Sequence, residues 1–282
     1  MKKIRLDIYL AQSGLSQTRE KAKREIIAGW VKVNGETVKD PSKNVAGSEH
    51  ITVNRPGGLY VSRGGQKLKF ALDRFGISLA GRVAADLGAS TGGFTDCMLK
   101  DGAAKVYAVD VGYGQLDFSL RKDPRVGVME KTNVRNLRRE DFPEMVDFIA
   151  ADLSFISIVK VFDKIREVFS PGEGVILVKP QFEAGPGDHK NGVVREKDAH
   201  AQILIRVISS LVEKGMTMMG LVHSPIKGPK GNIEFLLYFR CGSADPSNNI
   251  TAEQGDIIRD VVSQAHQYFE NIPDRPDLSS RE

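Results

Sequence analysis

The chain has 282 residues, of which 41% are apolar and 27% charged, enough for one full α/β domain and a smaller second one. No apolar run reaches membrane-spanning length, and the opening Met1-Lys-Lys-Ile-Arg-Leu-Asp7 lacks the apolar core of a signal peptide. These features lead to the expectation of a cytoplasmic enzyme without stable membrane association. Cys97 and Cys241 stand far apart and the five histidines lack ligand spacing, so neither a disulfide framework nor a metal is expected. The net charge of +4 is unevenly spread: residues 1–70 hold 14 Lys+Arg against 6 Asp+Glu, and the rest hold 26 against 30. A head at +8 on a body at −4 points to a polyanionic partner for the head.

In chain order, Arg5 to Gln12 reads as a helix with Leu6, Tyr9 and Leu10 at helical spacing. Thr18 is suited to cap a second helix running to Ala28, with Ala22, Ile26 and Ile27 facing inward and Gly29 as its stop. Arg19, Lys21, Lys23 and Arg24 fall on its exposed side. Asn34-Gly35, flanked by Val31-Lys-Val33 and Glu36-Thr-Val38, is a strong hairpin signal. The helix pair followed by Gly29-Trp-Val-Lys-Val-Asn-Gly35 resembles the S-four-type RNA-binding domain, a small α+β module. The resemblance implies phosphate contacts by Arg5, Arg19, Lys23, Arg24 and Lys32, which position RNA without reading its sequence. The module accompanies several RNA-modifying activities and names no reaction alone. Pro56-Gly57-Gly58 marks a linker at about 55–62, closing a first domain over residues 1–60.

From residue 82 short apolar strands alternate with amphipathic helices. Val83–Leu87 reads as a first strand, followed by a helix over Phe94–Lys100. Val106–Val109, Val146–Ala151 and Val175–Val178 read as further strands. A long helix follows near His200–Lys214, then two closing strands at about Thr217–Val222 and Ile233–Phe239, and a terminal helix over 251–270. This alternation predicts a Rossmann-like α/β fold with a mostly parallel sheet. His200 reads as a solvated side chain. Gly88-Ala-Ser-Thr-Gly-Gly93 follows a strand and opens a helix, the context of a nucleotide-binding turn, without dinucleotide or P-loop spacing. Asp110, ending the next strand, suits the two ribose hydroxyls of an adenosine. Together these residues indicate a nucleoside-type cofactor.

Five segments resemble the TlyA family: Ser62-Arg-Gly-Gly-Gln-Lys67-Leu, Asp86-Leu-Gly-Ala-Ser-Thr-Gly-Gly-Phe-Thr-Asp96, Asp152-Leu-Ser-Phe-Ile, Val178-Lys179-Pro-Gln-Phe-Glu and Gly231-Asn-Ile-Glu234-Phe. That family comprises rRNA 2′-O-methyltransferases with an FtsJ-like catalytic domain behind an S-four-type head, often labelled hemolysins. The resemblance implies a seven-stranded S-adenosylmethionine (SAM)-dependent methyltransferase fold over 63–245, with 246–282 a C-terminal helix and polar tail. It implies SAM as cofactor and ribosomal RNA or a ribosomal subunit as partner, with a cytidine ribose as target. Lys67, Asp152, Lys179 and Glu234 occupy the catalytic K-D-K-E positions. Asp86, Gly88, Ser90, Thr91, Gly92, Gly93, Asp110, Asn133 and Asp152 are the expected cofactor contacts.

A ribose 2′-hydroxyl is a poor nucleophile while protonated, and a neutral amine beside it can take its proton. Lysine, at about 10.4 when free, must be lowered by burial or by a neighbouring cation to serve. Lys179, ending an apolar strand, is the expected base and Lys67 the nearby cation. Asp152 would orient a lysine and the sulfonium side, and Glu234 would position Lys67 or the ribose. Asp152 and Lys179 stand where α/β sheets place ligands, at carboxyl strand ends; Glu234 rests on the resemblance. Gly185–Lys190 reads as a lid or a plain connection, and Lys227-Gly-Pro-Lys-Gly231 as a phosphate contact or an exposed turn. The competing readings are a hemolysin-type membrane-active protein, a noncatalytic RNA-binding or ribosome-assembly protein, and an RNA base methyltransferase.

Overall fold

Among its described residues, two short helices and five short strands build the head. In the computed structural model the described residues are 3–16, 18–47, 49–53, 59–185, 191–242 and 249–271. The expected linker Pro56-Gly57-Gly58, residues 186–190 and the tail beyond Asn271 lie outside them. Strand β1 (Ile4–Arg5) leads into α1 (Leu6–Gln12) and α2 (Arg19–Ile27), followed by β2 (Val31–Val33), β3 (Glu36–Val38), β4 (Asn44–Val45) and β5 (Ile51–Val53). β1 pairs with β4, and β2 lies between β3 and β5, all antiparallel. Thr18 caps α2 by accepting the Lys21 N–H at 3.1 Å. Asn34 and Gly35 turn the β2–β3 hairpin in the left-handed region, at φ 52° and 86°. Leu6, Leu10, Ala22, Ile26, Val31, Val33, Val38 and Val45 close a separate small core.

Arg5 belongs to β1 rather than to the expected helix. Its guanidinium donates twice to the buried Asp7 carboxylate, at 3.1 Å each, and Arg19 Nε donates to the same group at 3.0 Å. Lys23 pairs with Glu20 at 2.7 Å. Arg24 and Lys32 have no ion-pair partner among the described residues. Of the five expected RNA contacts, three are thus already tied to a carboxylate of the head, although Arg5 and Arg19 stay about half exposed.

The body begins with α3 (Gly64–Phe75) and continues through β6 (Val83–Leu87), α4 (Gly93–Lys100), β7 (Lys105–Val109), α5 (Phe118–Lys122), β8 (Val126–Met129) and β9 (Phe148–Ala151). Next come α6 (Phe162–Phe169), β10 (Glu173–Val178), α7 (Pro180–Glu183), α8 (Lys197–Glu213), β11 (Met216–His223), β12 (Phe235–Cys241) and α9 (Ala252–Glu270). The seven strands lie in the order β11-β12-β10-β9-β6-β7-β8, and β12 is the one that runs against its neighbours. Apart from Asp86 near the end of β6, the central strands β6, β9 and β10 are apolar on both faces at their buried positions, as a doubly covered parallel sheet requires. In β9, Phe148 and Ala150 face the core that receives Leu68 and Leu72 of α3 and Phe94 and Met98 of α4. Ile149 and Ala151 face the opposite core, shared by α6, α8 and α9.

Helix α9 belongs to that second core through Ile258, Val262 and Ala265. His200 does too, contrary to the expectation of a solvated side chain. It continues the inward stripe of α8 that runs through Ile203, Leu204, Val207, Ile208 and Leu211, and it is fully buried. Its Nδ1 lies 3.1 Å from His266 Nε2 of α9, and burial pushes its imidazole down to about 4. Among the described residues no helix is long and apolar enough to cross a membrane.

Candidate active site

Strands β6 and β9 are neighbours, and from them the sheet order runs outward in opposite directions, opening a crevice at their carboxyl ends. The chain leaves β6 at Gly88 with φ 91°, pressed so close to β9 that a Cβ would lie 2.5 Å from the Asp152 carbonyl oxygen. Only glycine fits both the conformation and the approach. A cleft of about 380 Å³ opens beyond this contact. Of the expected site residues, Lys67, Asp86, Gly88, Ser90, Thr91, Gly93, Asp152, Lys179 and Glu234 line it.

Gly92, Asp110 and Asn133 do not line the cleft. Gly92 precedes α4 at φ 92° and backs onto Leu116 and Leu120. Asp110 accepts the Ser90 N–H at 2.7 Å and the Gly112 N–H at 2.6 Å, so it fixes the glycine-rich loop from behind. Asn133 accepts the Arg135 N–H at 3.0 Å and caps a short 3₁₀ turn. Ser62, Arg63 and Phe94 line the cleft without having been singled out from the sequence; the first two stand in the segment that carries Lys67.

Asp86, near the end of β6, is completely buried, and its Oδ2 accepts from the Thr95 N–H at 2.8 Å and the Thr95 hydroxyl at 2.6 Å. Its Oδ1 has no hydrogen-bond partner among the described residues. Burial pushes the carboxyl up to about 7, the Asp152 and Asp110 carboxylates act in the same direction, and the Thr95 bonds act against it. A buried acceptor without a partner on a cleft wall calls for a donor from a ligand.

Two lysine–carboxylate pairs complete the cleft. Strands β10 and β12 pair antiparallel with Val178 opposite Phe235, so the next positions outward are Lys179 and Glu234. Lys179 Nζ lies 2.5 Å from Asp152 Oδ1, an ion pair without hydrogen-bond alignment, and donates to Ser154 Oγ at 2.8 Å. Ser154 stands two residues beyond Asp152 in the Asp152-Leu-Ser-Phe-Ile segment, a position that on its own drew no attention in the sequence. Lys67, from the first turn of α3, donates to Glu234 Oε2 at 2.5 Å, with the glutamate wholly buried. Glu234 Oε1 has no partner among the described residues. Each lysine therefore answers to its own carboxylate, and both face the space beside Asp86.

Residues 60–241 match the family model described as FtsJ-like methyltransferase, and residues 4–51 match the S4 domain. A Bacillus subtilis protein provisionally named rRNA methyltransferase YqxC is 45% identical over 270 residues, covering 94% of this chain and 95% of its own length. The 16S/23S rRNA (cytidine-2′-O)-methyltransferase TlyA of Mycobacterium tuberculosis is 42% identical over 242 residues, covering 85% of this chain and 90% of its own. A solved Streptococcus thermophilus protein provisionally named a hemolysin superposes with a TM-score of 0.72 at 41% identity, covering 96% of this chain and 98% of its own.

Proposed function

Because the chain belongs to the FtsJ-like methyltransferase family, in its TlyA branch and with an S4 domain, we propose that it methylates a ribose 2′-hydroxyl of ribosomal RNA. The observation that carries this reading is the pairing of two buried lysines with two carboxylates on one cleft wall beside the glycine-rich loop. Methylating a base nitrogen seldom needs a strong base, whereas a ribose hydroxyl must lose its proton as it attacks. By analogy with the cytidine-specific relatives the target is a cytidine. With ribosomal RNA as its substrate, the enzyme would act in the cytoplasm.

SAM supplies the methyl group, carried on a sulfonium. Asp86 Oδ1, buried and without a partner among the described residues, fits the ammonium of its methionine part, and the Gly88–Gly93 loop fits close approach of a nucleoside. Lys179, as the free amine left once its ammonium has given a proton to solvent, takes the 2′-hydroxyl proton at Nζ, held in place by Asp152 and Ser154. Lys67, anchored by Glu234, adds positive charge beside the developing alkoxide. Burial excludes water from both pairs, and the strands fix their spacing, so alignment contributes alongside proton transfer. Incubating the protein with ribosomal RNA and methyl-labelled SAM, then hydrolysing in alkali, tests the reading. Label should remain in an alkali-resistant dinucleotide, because a 2′-O-methyl group blocks cleavage of the next linkage; label on a base, or none, would refute it.

The raised Asp86 carboxyl gives SAM binding a pH dependence. The carboxylate form gains population as pH rises through 7, so affinity should grow from about pH 6 to 7.5, by at most about tenfold per unit. Calorimetry should show this rise in the wild type and a weak, flat profile in Asp86→Asn. The stability contribution has the opposite sign. The folded chain holds this proton more tightly than the unfolded one, whose aspartate titrates near 3.9, so the contribution is lost as pH rises toward 7.

A further inference from the structure

A second cleft, of about 440 Å³, adjoins the catalytic one, and Lys227 lines both. Two segments contribute to its wall: Val193, Val194 and Arg195 ahead of α8, and Lys227, Lys230 and Gly231 ahead of β12. The buried side chain of Asn232 joins them. Its Nδ2 donates to the Gly192 and Pro229 carbonyls at 3.1 Å each, and its Oδ1 accepts the Val194 N–H at 3.2 Å. The Gly228 N–H closes the turn on the Asn232 carbonyl at 2.8 Å. Gly228 also sits so near the Glu234 carboxylate that a Cβ would lie 2.0 Å from Oε1. The frame of the second cleft is thereby continuous with a member of the lysine–carboxylate site.

This frame carries three cations, Arg195, Lys227 and Lys230, none of them ion-paired among the described residues. Among the described residues Glu270 is the one carboxylate in the lining of this cleft, against the three cations. This basic lining stands out on a body whose residues 71–282 carry −4 as a whole. Lys227 Nζ lies 5.3 Å from the centre of the Phe269 ring, and that ring also packs against Tyr268 at 5.0 Å and His223 at 5.9 Å. The aromatic surface is occupied by neighbours, so the cleft offers charge rather than a stacking platform. Cations preorganised by a buried amide suit the oxygens of a phosphodiester.

We propose that this cleft binds the RNA backbone beside the target nucleotide, with Arg195 and Lys230 contacting flanking phosphates and Lys227 bridging to the catalytic cleft. The proposal rests on the RNA-methylation reading and deepens it: affinity would come from the body as well as from the head, independently of sequence. The test is the full-length double variant Arg195→Gln/Lys230→Gln, both exposed positions. Its control, Lys164→Gln/Lys214→Gln, removes the same charge from two ion-paired lysines elsewhere on the body.

With an rRNA fragment as probe, the double variant should raise KM for RNA about tenfold while kcat and SAM affinity stay unchanged. The slope of log affinity against log salt should become shallower by about 1.4 to 1.8, from two lost phosphate contacts. The control should move neither quantity. An unchanged slope and KM, or equal losses in the control, would overturn the proposal. Because the slope is read from binding alone, a wild type that bound RNA without methylating it would refute the methyltransferase reading and still leave the slope to decide the cleft.

Discussion

Lys179→Ala is expected to bind SAM and RNA within about threefold of wild type and to transfer methyl groups slower by about two to four orders of magnitude, the span of a lost general base. The expectation follows from where the side chain is held. Lys179 leaves the end of β10, is nearly buried, and lies within 2.5 Å of Asp152 and 2.8 Å of Ser154. None of these contacts builds the glycine-rich loop or the head, so removing the amine leaves both binding surfaces in place. Asp152→Ala is a less clean probe, because the Asp152 backbone touches Gly88 and its carboxylate lines the cleft beside Asp86. Equilibrium binding measured beside single-turnover rates separates the two effects. A parallel collapse of SAM affinity would mean that Lys179 supports the cofactor site rather than proton transfer.

Glu234→Ala should be the most damaging single change to stability in the site, at about 3–5 kcal/mol, because it leaves the Lys67 ammonium buried without a partner. In a body of this size that corresponds to a melting temperature lower by roughly 10 °C. Lys67→Met combined with Glu234→Leu removes both charges and should recover much of the loss, since replacing a whole buried pair costs far less than breaking it. Glu234→Gln keeps the volume beneath Gly228 and should fold better than Glu234→Ala while still losing activity. Thermal denaturation of the four proteins checks the order. A double variant no more stable than Glu234→Ala would show that the pair's charge balance is not what holds this corner together.

Much of this site was legible in the sequence because its signals are local. The Gly88–Gly93 loop follows an apolar strand, Asp86 sits inside that strand, and Asp152 and Lys179 end two others, where parallel sheets place ligands. Glu234 was not legible this way. It is one charge ahead of an apolar strand, and its meaning depends on Lys67, 167 residues earlier in the chain. Only the antiparallel pairing of β10 with β12 and the packing of α3 bring the two together. The start of α3 was hidden by Gly64 and Gly65, poor helix formers, and β8 by Gly127, which weakens a strand pattern. His200 was misjudged because its polarity outweighed its place. It falls three and four residues before Ile203 and Leu204, on the inward stripe of α8.

Asn133 and Asp110 also accept backbone N–H groups, duties that no sequence spacing reveals. The same holds for Arg5 and Arg19, whose shared partner Asp7 lies 12 residues before Arg19 and is buried only once α1 meets α2.

Whether an amine at position 179 accepts the ribose proton is read from single-turnover methylation by Lys179→Arg at saturating SAM and rRNA. Arginine keeps the positive charge and can still pair with Asp152, but its guanidinium is not deprotonated in proteins. Lys179→Arg should be as slow as Lys179→Ala, about two orders of magnitude or more below wild type. A rate near wild type would contradict it and would mean that position 179 supplies only charge.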